Sequence, residues 1–223
     1  STAKNEINNL IISAYITSKD YKGALSYLKN KKSSKEQGIF QKVAFYRGVE
    51  LFTEENYEAA KENFESSLSV AIDKETYAKA TYWKGETNYR LNNFIEAIND
   101  FKSFLSKSDA LNTQEYEEVH YNLGYAYFKQ KEFENSIEEF KKYLARNTSD
   151  DIKRNDSYLR IGDSYFINRN YTNTITYYNK AIEMNAADTD YAQFHKAISY
   201  GLTGNENAKI KELNSFLNTH TRS

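Results

Sequence analysis

Four glycines, Gly48, Gly85, Gly124 and Gly162, stand 37, 39 and 38 residues apart, and each opens the same series of offsets. Nine residues on comes an aromatic: Tyr57, Phe94, Phe133 and Tyr171. Three further on lies a small residue (Ala60, Ala97, Ser136 and Thr174), and four beyond that a second aromatic (Phe64, Phe101, Phe140 and Tyr178). A degenerate copy precedes these, with Ile12, Tyr15, Tyr21, Ala24 and Leu28 in order. Another follows, from Ala197 and Tyr200 through Gly204 to Ile210 and Leu213. About six units result, and a period of this size marks a stacked repeat architecture.

Inside each unit the apolar spacing is helical. Leu123, Tyr127 and Phe128 share one face of a first helix, and Phe133, Ile137, Phe140 and Leu144 one face of a second. The polar stretch Lys129-Gln130-Lys131-Glu132 between them reads as the tight turn of an αα-hairpin. The chain has no proline and only eight glycines, which argues against a loop-rich β-sandwich or a proline-rich linker. Glycine inside a helix costs roughly 1 kcal/mol against alanine, so four at one register need a packing reason. The expectation is a partner helix too close for a Cβ, with Ala60, Ala97 and Ser136 on its facing side. Variation in repeat length falls only between the second helix of one unit and the first of the next. Asp73, Thr113, Ser149 and Thr189 stand there as expected N-caps, and the acidic Glu115, Glu117 and Glu118 suit a helix start. The expected units span 3–33, 37–72, 74–108, 113–147, 151–186 and 189–220 of one array.

The stretch Tyr121-Asn122-Leu123-Gly124-Tyr125-Ala126-Tyr127-Phe128 resembles the tetratricopeptide-repeat (TPR) pattern. Trp83-Lys84-Gly85 with Ala97-Ile98, and Arg160-Ile161-Gly162 with Tyr165-Phe166, continue it. The units depart from the family by lacking its proline at the end of the second helix and by running longer than its usual repeat of about 34 residues. The resemblance implies an all-α, α-α superhelix: a right-handed solenoid of about six helical hairpins. More narrowly, Gly204-Asn205-Glu206-Asn207-Ala208-Lys209-Ile210-Lys211-Glu212-Leu213 is similar to long Gram-negative envelope repeat proteins of the Tol-Pal-associated and outer-membrane assembly kind. That likeness favours a bacterial periplasm or cell envelope over cytoplasm. The 24 asparagines, with the many Lys, Ile and Tyr, also fit an AT-rich bacterial genome.

The resemblance further implies a working concave face built by the first helices, at positions six, three and two before each glycine and one, four and five after it. The partner-binding set expected there is Phe45, Tyr46, Tyr82, Trp83, Glu86, Tyr89, Tyr121, Asn122, Tyr125, Arg160 and Asp163. Aromatic side chains anchor partners by burying large area at low entropic cost. Phe52, Tyr89, Phe128 and Phe166 recur at one register, which equally fits packing between repeats. The basic groove that some relatives use to clamp a partner's terminal carboxylate is replaced by Phe45, Val49, Tyr82, Glu86, Tyr121 and Tyr125. The expected function is therefore a non-catalytic scaffold binding a peptide or protein segment along an aromatic-rich face. A glycan- or peptidoglycan-binding module and a self-associating repeat protein are the alternatives.

Other chemistry has little foothold. Without cysteine there is no disulfide, thiolate ligand or thiol nucleophile. The three histidines form no His-Glu-x-x-His, and no Walker loop or G-x-S-x-G occurs. His120 reads as packing, His195 lies in the last first-helix and His220 in the tail. Glu54-Glu55 and Glu138-Glu139 read as surface pairs, and the sequons at Asn147, Asn155 and Asn170 as chance. No enzyme activity, cofactor or metal is expected. A net charge of −1 gives no field for nucleic acid, and no apolar run spans a bilayer. The start at Ser1 without methionine or signal pattern reads as a trimmed or mature piece. The apolar Ile210, Leu213, Phe216 and Leu217 at the other end suggest a longer repeat protein or a homo-oligomer through uncapped ends.

Overall fold

The computed structural model describes residues 2–146 and 149–219. The side chain of Ile12, and the residues Asn147 and His220, lie outside the described set. No strand occurs among the described residues. Twelve α-helices do: α1 Thr2–Thr17, α2 Tyr21–Leu28, α3 Ser34–Thr53, α4 Tyr57–Leu68, α5 Lys74–Arg90, α6 Phe94–Leu105, α7 Glu115–Lys129, α8 Phe133–Leu144, α9 Asp151–Ile167, α10 Tyr171–Met184, α11 Thr189–Leu202 and α12 Glu206–Thr219. They divide into two compact units, residues 1–116 and 117–223.

Every hairpin turn is built alike. Lys19, Glu55, Asn92, Lys131, Arg169 and Gly204 take left-handed backbone conformations, with φ between 56° and 79°. At five of these turns two backbone bonds close a Schellman motif. In the turn after α3, Asn56 N–H donates to Leu51 O and Glu55 N–H to Phe52 O, at 2.9 and 3.0 Å. Asn93/Asn92, Glu132/Lys131, Asn170/Arg169 and Asn205/Gly204 repeat the pair. The same Asn or Glu then serves as N-cap of the next helix, accepting at its carbonyl from Ala60, Ala97, Ser136 and Thr174. One residue thus ends one helix and starts another, which fixes the nine-residue offset from glycine to aromatic.

The glycines are pressed by rings, not by small residues. A Cβ on Gly48, Gly85, Gly124 or Gly162 would lie 2.6–2.9 Å from a ring carbon of Phe64, Phe101, Phe140 or Tyr178. All four rings are buried to within about 1%. The small residues lie beside this contact: Ser136 Oγ donates to Gly124 O at 2.8 Å, and Ala60 and Ala97 are fully buried. The expected glycine register is correct, and its neighbour is the aromatic sixteen residues on.

Extra length goes where the spacing placed it. The longest connection, between α6 and α7, holds a 3-10 helix at Ser108–Asn112. The caps expected in the four connections differ from the structure at three positions. Asp73 accepts from Thr76 N–H at 2.8 Å, as expected. Thr113 instead turns its hydroxyl to Ala110 O. Asp150, not Ser149, caps α9 by accepting from Lys153 N–H, and Thr189 lies inside α11. Ser149 and Asp150 both suit an N-cap, and the backbone path puts Asp150 at the helix start.

Each unit adds side-chain clamps between successive first helices. Gln41, fully buried, donates Nε2–H to Asp73 O and accepts from Asp73 N–H at Oε1, at 3.0 and 2.8 Å. Asn155, also fully buried, donates to Ala187 O at 2.9 Å. A sequon at Asn155 is therefore inaccessible in the folded chain.

Candidate functional site

The expected concave positions fall into three kinds. Three residues before each glycine, the side chain faces its own hairpin. Phe45 and Tyr82 are 7% and 5% exposed, and Tyr82 meets the rings of Phe101 and Phe104 at 5.6 and 5.4 Å. Tyr121 packs likewise on Phe140 and Tyr143. Four residues after each glycine, Phe52, Tyr89, Phe128 and Phe166 stand edge-on to Tyr57, Phe94, Phe133 and Tyr171 across the turn, with centroids 5.3–5.8 Å apart. This register is chiefly hairpin packing, although Phe52 also meets Trp83 and Phe166 meets His195 in the next hairpin. Two residues before and one after the glycine, the side chains look outward, except that Asp163, one after Gly162, is buried and not on an open face as expected. Tyr46 is 58% exposed, and Trp83, Asn122, Arg160, Glu86 and Tyr125 are half-buried.

In the first unit these outward positions line a groove of about 310 Å³ between α3 and α5. Phe45, Tyr46 and Val49 line it from α3, and Asp73, Glu75, Thr76, Lys79 and Trp83 from the start and body of α5. Lys42 and Glu115 complete it. Lys42 Nζ is 2.9 Å from Asp73 Oδ2 and Lys79 Nζ 2.5 Å from Glu75 Oε1. Thr76 N–H, joined by Lys42, holds Asp73 down to a pKa of about 2; the bond to Asp73 raises Lys42, as the bond to Glu75 raises Lys79. Trp83 Nε1–H donates to Glu115 Oε1 at 3.0 Å, tying the indole in place. The acidic start of α7 thus makes a specific contact that sequence reading treated only as dipole compensation.

In the second unit the outward positions close on one another. Tyr121 and Tyr125 hydroxyls both donate to Asp156 Oδ2, the former at 2.9 Å. Arg160 bridges Asp156 and Asp163, with Nε at 3.3 Å from the first and a terminal nitrogen at 2.6 Å from the second. Tyr178 and Tyr191 donate to the other oxygen of Asp163, at 2.7 and 2.9 Å. Burial and then the Asp156 charge push Tyr121 well above the usual phenol range, and burial with Asp163 takes Tyr191 to about 12. Burial lowers His195, whose ring lies 4.3 Å from that of Tyr191, centroid to centroid. All these phenols remain neutral donors at ordinary pH. The seam was missed in sequence because Asp156, Tyr178 and Tyr191 come from three different helices.

Two further corrections concern ionisable groups. His120 Nδ1 lies 2.6 Å from Glu139 Oε2, and Lys142 bonds the other oxygen, so Glu139 is 9% exposed and not a surface residue. Burial would raise Glu139, but His120 and Lys142 overcome this and hold it below the usual range. Among the described residues, no group of three His, Asp or Glu side chains is placed to hold a metal ion. No helix among them is long and apolar enough to cross a membrane.

Against this geometry stand the comparisons. Two tetratricopeptide-repeat family models match the chain, at residues 117–150 and 156–188. These two segments are the hairpins α7–α8 and α9–α10. Residues 117–150 and 156–188 each carry a tetratricopeptide repeat. Among solved structures, MamA protein has 20% identity and a TM-score of 0.68, over 82% of this chain and 92% of that one. YrrB, described as a TPR protein with an unusual peptide-binding site, has 15% identity and a TM-score of 0.65, over 91% and 93%. The C-terminal part of a TPR-containing protein from Cytophaga hutchinsonii has 11% identity and a TM-score of 0.62, over 95% and 78%. These likenesses carry the fold class, all-α with TPR hairpins of the α-α superhelix type. No curated protein matches the sequence. The tetratricopeptide repeats support a protein–protein interaction scaffold.

Proposed function

We propose that the chain binds an extended segment of another protein on the outward positions of its first helices, centred on the groove between α3 and α5. The groove itself carries this reading: ten residues enclose about 310 Å³, and Tyr46 stands 58% exposed at its side. An aromatic with a polar tip beside a groove of fixed side chains is what a hot-spot pocket requires. The description of YrrB as having a peptide-binding site supports the same class of ligand. In the second unit, the Tyr–Asp–Arg seam supports a stiffer surface, since its polar atoms are already engaged with one another.

Selection of random peptides displayed on phage against the folded chain tests this. Peptides are expected to be enriched, and Tyr46→Ser or Val49→Lys to weaken their binding about tenfold. Enrichment that is unchanged by both substitutions, or absent, would refute it.

A further inference from the structure

Glu115, which lines the groove between α3 and α5, has an unanswered carboxylate oxygen. Glu115 Oε1 accepts from Trp83, but Oε2 is buried and has no hydrogen-bond partner. Its neighbours do not supply one. Lys42 is committed to Asp73 and Lys79 to Glu75. Asp73 is answered at both oxygens, by Thr76 N–H and by Lys42. In the second unit, Asp156 and Asp163 likewise have donors on both oxygens. A buried acceptor left without a donor costs free energy that a ligand carrying one recovers.

The charge around the groove has the same sense. Asp73, Glu75 and Glu115 face two ammonium groups, Lys42 and Lys79, leaving one negative charge in excess. Tyr46 and Trp83 add aromatic surface, with the Trp83 ring held edge-on to Phe52 at 5.2 Å and to Tyr82 at 5.9 Å. Aromatic faces attract cations, and guanidinium stacks on them while presenting several fixed donors to carboxylates.

We infer that this groove receives an arginine side chain of the bound segment, its guanidinium donating to Glu115 Oε2 beside Tyr46 and Trp83. The inference rests on the peptide-binding reading and assigns the chemistry of its central contact. Arginine fits better than lysine because one planar group can donate to Glu115 and a second carboxylate while lying against a ring.

The test uses the intact chain and pools of acetylated, amidated nonapeptides of varied sequence with arginine at the centre. Matched pools carry citrulline, which keeps the shape and removes the charge. Emission from Trp83, the single tryptophan, reports occupancy. The arginine pools are expected to bind about tenfold or more tightly than their citrulline counterparts. Glu115→Gln, which keeps an acceptor for the indole, should erase that ratio while leaving the citrulline pools unchanged. Tyr46→Ser, at an exposed site, should weaken the arginine pools without disturbing the fold. Equal binding of both pools, still weakened by Tyr46→Ser, would overturn the arginine assignment and leave peptide binding standing. Absence of binding by any pool would overturn both.

Discussion

The ring of Phe140 fills the space where a Cβ on Gly124 would stand: built there, the atom would be 2.9 Å from three ring carbons. The same distance relation, sixteen residues long, joins Gly48 to Phe64, Gly85 to Phe101 and Gly162 to Tyr178. A fully buried ring cannot swing aside as the end of a flexible chain would.

Gly124→Ala should therefore destabilise the chain by about 1–2 kcal/mol, overpacking outweighing the gain in helix propensity. Urea unfolding measures it. The double variant with Phe140→Leu should recover part of the loss in Gly124→Ala relative to Phe140→Leu alone. A stabilised single variant would show that the ring is not the constraint.

Five of the six hairpin turns hold a non-glycine residue in the left-handed region, among them Lys131 at φ 61°. Relief of that local cost should make Lys131→Gly more stable by about 0.5–1 kcal/mol. Gly204, at φ 79° with open space where its Cβ would be, should lose about 1 kcal/mol as alanine from backbone strain alone. Paired denaturation midpoints check both signs.

Asp163 is 6% exposed and holds Arg160, Tyr178 and Tyr191 together. Asp163→Ala removes one of the two carboxylates of Arg160 and the shared acceptor of two phenols, at a cost of about 3 kcal/mol. Tyr178→Phe removes one bond and should cost about 1 kcal/mol. If the two variants proved equally mild in thermal unfolding, the seam would not be a cooperative element.

The pKa of Asp73 lies near 2 when folded and near 3.8 when unfolded, held down first by Thr76 N–H and then by Lys42. A depressed folded value means that the stabilisation is present above pH 4 and is lost as pH falls towards 2. Asp73→Asn keeps a capping oxygen without the charge. Its melting temperature should lie below that of the parent at pH 7 and converge with it by about pH 2. A gap independent of pH would assign the effect to capping geometry.

Much of the hairpin was legible in the sequence, because the turn is rigid. With one residue closing α3 and opening α4, the offsets after Gly48 cannot drift, and they survive as counted spacings. The binding face was less legible. Phe45 and Tyr46 are adjacent, both aromatic, and about 100° apart around the helix, so composition alone cannot tell the core ring from the exposed one. The Trp83–Glu115 bond spans 32 residues and the Tyr125–Asp156 bond 31, and both depend on how successive hairpins stack. That stacking is set by the connections, where the repeat is least regular. Asp150 displaced Ser149 as a cap for a similar reason: both residues suit the position, and only the backbone path chooses.

The double duty of Asn93, which closes α5 and opens α6, leaves that turn with no spare residue. A single inserted amino acid there would rotate Phe101 away from Gly85 and unseat the pair. The connections carry no such restriction, and Ser108–Asn112 shows one of them holding an added helical turn. Surplus length thus has a single outlet in this architecture. A tag, a protease site or a grafted loop placed between α6 and α7 would leave the hairpins on either side intact, whereas the same graft between α5 and α6 would not.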